Sequence, residues 1–267
     1  MSAHPDPPSR PGPVSDEPVY EAIGVGYARR RRPDPRIAAR VHGHLGPPRE
    51  RPHVLNVGAG AGSYEPGDRR VTAVEPAPTM IAQRPATASR EVVRAVGGAL
   101  PFPDGTFDAA TALLTVHHWP DPTAGLAEVR RVTTGPVVVF TFDHDVSSEQ
   151  WLVADYFPGM AAFDTHLPPP DALADALGGG TVEVLPVPRD CTDGFMHAWW
   201  CRPEAYLDPA TRAAISGLAR LDDDQVAAGV ARLRADLDSG AWAARHAGLA
   251  GRDEIDAGYR LVISPGR

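Results

Sequence analysis

One stretch constrains this chain more than any other. Residues 53–75 read HVLNVGAGAGSYEPGDRRVTAVE. A short apolar run (Val54, Leu55, Asn56, Val57) gives way to glycines at alternate positions, Gly58, Gly60 and Gly62. A second run from Val71 to Val74 then ends on Glu75. Two short apolar runs split by punctuating glycines predict strand, glycine loop, helix, strand and acid. That is the pattern of a nucleotide-binding half of a doubly wound α/β sheet. Glycine permits the tight turn and lets a ligand approach the backbone. A carboxylate at the end of the second strand can accept hydrogen bonds from both hydroxyls of a ribose. The dinucleotide spacing G-x-G-x-x-G is absent, since Ser63 stands where its third glycine belongs.

The same stretch resembles motif I of the class I S-adenosylmethionine (SAM) methyltransferases, with Glu75 as their motif II acid. Residues 97–122, GGALPFPDGTFDAATALLTVHHWPDP, are similar to the LPF-x-D-x-x-FD segment of the type 11 group, which includes the ubiquinone C-methyltransferases. Leu100, Pro101, Phe102, Asp104, Phe107 and Asp108 carry that match. The resemblance implies a Rossmann-like, mostly parallel, seven-stranded sheet. It implies SAM as cofactor, with S-adenosylhomocysteine as its product. Asn56, Gly58, Ala59, Gly60 and Glu75 would hold SAM, Pro76 and Met80 would wrap the adenine, and Leu114 and Thr115 would close the site. There are two departures. Asn56 replaces the usual Asp of motif I. Gly97 and Gly98 replace an acid that usually meets the adenine amino group, so Gly98 and Ala99 would contact it through backbone.

Residues 20–45 resemble the N-terminal cover of small-molecule members of that family. Tyr27 would pack on SAM, and Arg31 or Arg32 would pair with its methionine carboxylate, which suits guanidinium geometry. Tyr20, Trp119, His197 and Trp200 are the candidates to touch the methyl acceptor. The aromatic-rich segment DCTDGFMHAWWCRPEAYL suggests a planar, phenol- or indole-type acceptor, since ligand sites are mostly apolar and aromatic.

Taken in order, residues 1–18 are proline-rich and predict a disordered tail. Residues 19–52 form the cover, 53–188 the core sheet, 189–257 a helical lid inserted before the last strand, and 258–264 that strand. Further strands are expected at 92–96, 107–114, 136–142 and 181–187. Asp34-Pro35, Asp121-Pro122 and Asp208-Pro209 each read as a helix N-cap followed by proline in the first turn. Asp223 or Asp224 should start another helix, which makes the Asp222–Asp224 run a cap rather than a metal site.

His117 and His118 follow the fourth strand directly, at the sheet edge where ligands sit in such folds. Imidazole titrates in the range useful to a general base, so one of the two is the candidate base or acceptor-orienting group. Cys191, His197 and Cys201 do not have a common zinc spacing, and no metal is expected. A net charge of −8 argues against nucleic-acid or anionic-membrane partners. Two cysteines and no apolar stretch of membrane-spanning length suit the cytoplasm. The Arg-, Ala-, Gly- and Pro-rich composition suggests a bacterial source. The expected partner is a small molecule, the chain being a monomer or homodimer. A noncatalytic SAM-binding protein, or a nicotinamide oxidoreductase on the same fold, are the alternatives.

Overall fold

The computed structural model describes residues 31–266. Seven strands form one sheet: β1 (His53–Val57), β2 (Arg70–Val74), β3 (Val92–Val93), β4 (Ala109–Leu113), β5 (Val137–Phe142), β6 (Thr181–Val184) and β9 (Tyr259–Ser264). Their order is β3-β2-β1-β4-β5-β9-β6. Only β9 runs against its neighbours, pairing antiparallel with β5 and β6. β5 is buried along its whole length, as its Val- and Phe-rich sequence requires of a strand covered on both faces. The order reverses between β1 and β4, and a doubly wound sheet opens a crevice at the carboxyl ends of such a pair.

The caps read from the sequence form as expected. Asp34 accepts from the Arg36 amide ahead of the helix Pro35–Gly43, whose Ile37 and Val41 are buried. Asp121 accepts from the Ala124 amide ahead of Pro122–Val132, and Asp208 from the Ala210 amide ahead of Pro209–Ala213. The long helix Asp223–Asp238 starts at the first of the two expected positions. Asp222 is its N-cap and forms a capping box with Gln225.

Five expectations need correction. No helix forms between β1 and β2. The connection has only 12 residues (58–69), and Gly58, Gly60, Gly62 and Tyr64 all have positive φ, so no helical turn can start. β3 spans two residues rather than five, and β4 starts at Ala109 rather than Phe107. The strand expected at 181–187 breaks at Pro186, which has no N–H for the ladder. Val187 and Pro188 (β7) instead pair with Glu254 and Ile255 (β8) in a separate ribbon. Finally, the lid draws on two parts of the chain. A second hydrophobic core joins Trp151, Leu152, Tyr156 and Phe157 to Tyr206, Ile215 and Leu233, so residues ahead of position 189 belong to it. Among the described residues, no helix is long and apolar enough to cross a membrane.

Candidate active site

The site is assembled from the loops that leave the carboxyl ends of β1, β2 and β4. Gly58 has φ +65°, and a side chain there would overlap the Thr115 hydroxyl, so β1 and β4 are pressed together just beyond the sheet. Gly60 has φ +50° and faces Met80, which packs with Ala61 and Ala77 in a small apolar cluster. Glu75, 5% exposed, sits between these loops. Its carboxylate accepts the Gly60 amide at 2.7 Å and the Ala77 amide at 2.9 Å. Burial raises its pKa, and the two backbone donors oppose that rise. Each carboxylate oxygen offers two acceptor sites. The two amides therefore occupy half of what Glu75 can accept.

Below the glycine loop, Asn56 is buried, and its amide bridges two elements. It donates to Glu65 at 3.1 Å and accepts from the Thr111 hydroxyl at 3.1 Å. Glu65 in turn forms a buried ion pair with Arg84 at 2.6 Å, and Arg84 donates to the Gly60 carbonyl at 3.0 Å. The Arg84–Glu65 pair thus clamps the glycine loop where a crossover helix would otherwise hold it. Nothing in the local sequence of either residue signals this.

β4 ends abruptly. Leu114 has φ +51°, unusual for a branched residue, and the chain turns at once into a short 3₁₀ helix, Val116–His118. That turn delivers His117 to a cleft under the lid. Leu114, His117, Phe142 and Tyr259 form the core wall, and Met160, Phe163, Met196 and Ile215 are among the lid residues opposite. The cleft is open to solvent at its mouth. His117 is 7% exposed, and its Nδ1 has no hydrogen-bond partner among the described residues. Its ring lies 3.9 Å from that of His118 and meets Phe142 edge-on at 5.1 Å. Burial, with the Arg220 and Arg31 charges adding to it, lowers its pKa to about 3, so the imidazole is neutral at pH 7.

A polar network joins the cover, the glycine loop and the lid. Asp193, at the start of the lid, has a fully buried carboxylate. It accepts from Arg31 Nε at 2.8 Å and from the Tyr64 hydroxyl at 2.7 Å. The Tyr64 oxygen accepts the Asp34 amide at 3.3 Å. Asp34 is held by a two-pronged contact from Arg36 and by the Thr192 amide, which lower its pKa to about 2 against the cost of burial. Tyr64, Asp193 and Ser147 were not singled out by the sequence reading, because their partners lie far along the chain, 129 residues apart for Tyr64 and Asp193 and 50 for Ser147 and His197.

The residues expected at the site fall into three groups. Gly58, Ala59, Gly60, Glu75, Pro76, Met80, Gly98, Ala99, Leu114 and Thr115 all follow the carboxyl ends of β1 to β4. Arg31 lines the cleft through its end of the Asp193 network, whereas Arg32 is exposed. Trp119, Trp200 and His197 do not line the cleft. Trp119 is wedged where a side chain on Gly97 or Gly125 would strike it. Trp200 is buried in the main core, its indole N–H donating to the Val187 carbonyl at 3.0 Å. His197 is buried behind Ser147, with Nε2 2.9 Å from the Ser147 hydroxyl. Tyr20 and Tyr27 lie outside the described residues. Burial pushes the Cys191 thiol up to about 12, the opposite of what a metal-ligating thiolate needs.

The neutral histidines carry a stability consequence. His117 and His197 both have folded-state pKa values lowered by burial from 6.5 to about 3. Between those values the unfolded chain binds more protons than the folded one, so stability rises with pH. The contribution is complete above pH 6.5 and is lost as pH falls toward 3. Each histidine contributes up to about 1.4 kcal/mol per pH unit inside that window. Thermal melts should therefore fall steadily from pH 6.5 to 4.5, and His197→Gln should flatten the dependence. A melting temperature constant over that range would contradict the buried neutral state.

Comparison with known proteins places these features in context. A family model described as a methyltransferase domain matches residues 55–137, from β1 to the start of β5. The chain is similar to a solved protein of Anabaena variabilis that is assigned to the methyltransferases of an antibiotic biosynthesis pathway. The two are 30% identical, with 88% of this chain and 98% of that one covered and a TM-score of 0.80. A SAM-dependent methyltransferase of Thermotoga maritima shares the fold at 15% identity, with 93% and 99% covered and a TM-score of 0.53. An uncharacterized chloroplastic methyltransferase of Arabidopsis thaliana is 40% identical over 67 residues. That match spans 24% of this chain and only 19% of the plant protein.

Proposed function

The chain belongs to the class I SAM-dependent methyltransferases, and on that premise we propose that it methylates a small, largely apolar acceptor of phenol or indole type held under the lid. The observation that carries this reading is His117: a buried imidazole whose Nδ1 has no partner among the described residues, facing a largely apolar cleft. A buried polar atom without a partner costs of the order of 1–3 kcal/mol, a cost that an acceptor hydroxyl or N–H placed there would remove. The assignment of the Anabaena relative to an antibiotic pathway fits an acceptor from secondary metabolism.

The residues of the sheet edge suit SAM. A side chain built on Gly98 would meet no atom within 4 Å, which leaves open space there for a ligand. The Glu75 carboxylate has acceptor capacity for the ribose hydroxyls beyond its two amide bonds. When bound, SAM supplies a methyl group activated by a positive sulfonium. The protein's part is alignment and exclusion of water. Met160, Phe163 and Ile215 of the lid keep the cleft apolar. Nδ1 of His117 accepts the hydrogen bond of the nucleophilic O–H or N–H and points its lone pair away from the imidazole. Burial disfavours the imidazolium, so the acceptor's proton is not retained there and passes on to solvent. We place the reaction in the cytoplasm, a reducing compartment that suits the free thiols of Cys191 and Cys201.

Calorimetric titration with SAM, S-adenosylhomocysteine, NADH and NADPH tests the cofactor. Binding of the adenosyl ligands alone is expected, and binding of a nicotinamide alone would overturn the reading. His117→Ala should keep S-adenosylhomocysteine affinity within about twofold and lower turnover by about 100-fold. The rate of the native protein should show no acid limb near 6.5, because His117 does not titrate there. A limb at that pH, or equal mild losses from His117→Ala and His118→Ala, would remove His117 from the role.

A further inference from the structure

The cleft that takes the acceptor has a second polar point besides His117. Its charged groups are compensated. Arg31 pairs with Asp193, and Asp164 pairs with Arg220 at 2.7 Å. Of the uncharged polar side chains that also line it, His144, Ser147, Ser148 and Ser216, the buried one is Ser147, on the short helix His144–Ser148. A serine inside a helix commonly bonds back to a carbonyl of its own preceding turn. Ser147 instead meets Nε2 of His197 at 2.9 Å.

His197 is 2% exposed and held neutral by burial. Its amide donates to the hydroxyl of Tyr259 at 3.4 Å, and Tyr259 itself lines the cleft. Gly258, with φ +90°, lets the start of β9 pass against the Ser147 backbone, where any side chain would collide. The Ser147 hydroxyl is therefore set in place from the lid side by His197 and from the sheet side by β9. Burying a serine–histidine pair in an apolar wall costs desolvation that an alanine–phenylalanine pair would not. One hydroxyl has a donor and two acceptor sites, and His197 uses only one of the three.

We propose that Ser147 is a second acceptor-anchoring group, binding a polar substituent other than the one methylated, and that His197 is the positioning residue that aims its hydroxyl. This rests on the acceptor reading given above. It makes the enzyme selective for acceptors with two polar groups. A buried site built to hydrogen-bond a hydroxyl rejects the analogue that lacks it far more strongly than an apolar pocket rejects a missing methylene.

The test uses 2-naphthol and the dihydroxynaphthalene isomers as probes, titrated into the full chain saturated with S-adenosylhomocysteine. At least one dihydroxy isomer should bind about tenfold or more tightly than 2-naphthol. Ser147→Ala should bring that ratio close to one while S-adenosylhomocysteine still binds. His197→Phe should do the same. His197→Gln, which returns a polar group near the position of Nε2, should restore most of the selectivity, whereas a purely structural role for His197 would leave the ratio unmoved in both variants. Persistence of the preference in Ser147→Ala, or a native protein that binds 2-naphthol without preferring any isomer, overturns the proposal alone. A native protein that binds S-adenosylhomocysteine but none of the naphthols overturns the acceptor reading and this proposal with it.

Discussion

Replacing Glu75 by alanine should weaken SAM affinity by about 100-fold or more. The argument has two parts. Hydrogen bonds to a charged partner contribute about 1.5–3 kcal/mol each, and a ribose presents two hydroxyls to this carboxylate. The same carboxylate also holds the Gly60 amide at 2.7 Å and the Ala77 amide at 2.9 Å. Its removal therefore releases the loop that must lie under the ligand, and the loss exceeds that of the ribose contacts alone. Glu75→Gln keeps the shape and one acceptor, so it should fall between the two. Titration calorimetry reads the affinities, and a melting curve on each variant separates lost binding from lost folding. An alanine variant that binds SAM within about threefold of the native protein, a change under about 0.7 kcal/mol, would falsify the assignment.

Asp193→Ala should be the most damaging single change to the fold at this site, at about 3 kcal/mol. The Asp193 carboxylate is fully buried, and it is the shared acceptor of Arg31 Nε and the Tyr64 hydroxyl. Removing one member of a buried charged pair costs about 3–5 kcal/mol, because the partner stays buried without its counter-charge. The lower figure applies because Arg31 has other interactions and its side chain is 10% exposed. For a domain of this size the melting temperature should drop by roughly 6–12 °C. Asp193→Asn preserves an acceptor for Tyr64 and should cost clearly less. Equal losses in the two variants would mean that the ion pair contributes nothing and that only packing matters.

These two residues differ in how legible they were. The place of Glu75 at the end of β2 can be read from the sequence because it depends on neighbours within one strand–loop–strand unit: an apolar run, glycines and an acid at a set distance. The same holds for Asp34, Asp121 and Asp208, whose cap role depends on the next few residues. Asp193 carries no such signal. Its partners lie 162 and 129 residues away, and only the return of the lid to the glycine loop brings them together. Trp119 and Trp200 show the converse. Aromatic residues near a site look like ligand contacts in a sequence, but these two fill space against Gly97, Gly125 and the Val187 carbonyl.

The sequence by itself determined the α/β class and the mostly parallel, seven-stranded sheet. Apolar runs, glycine placement and proline caps are local constraints, and local constraints can be read along a chain. Only the tertiary structure decided that the β1–β2 connection has no helix and is clamped by Arg84 and Glu65, which histidine faces the cleft, and that Ser147 stands in front of His197. Each of these follows from where distant segments meet. A hydrogen bond between residues 50 or 160 positions apart is set by the packing of whole elements, and no periodicity in the sequence encodes it.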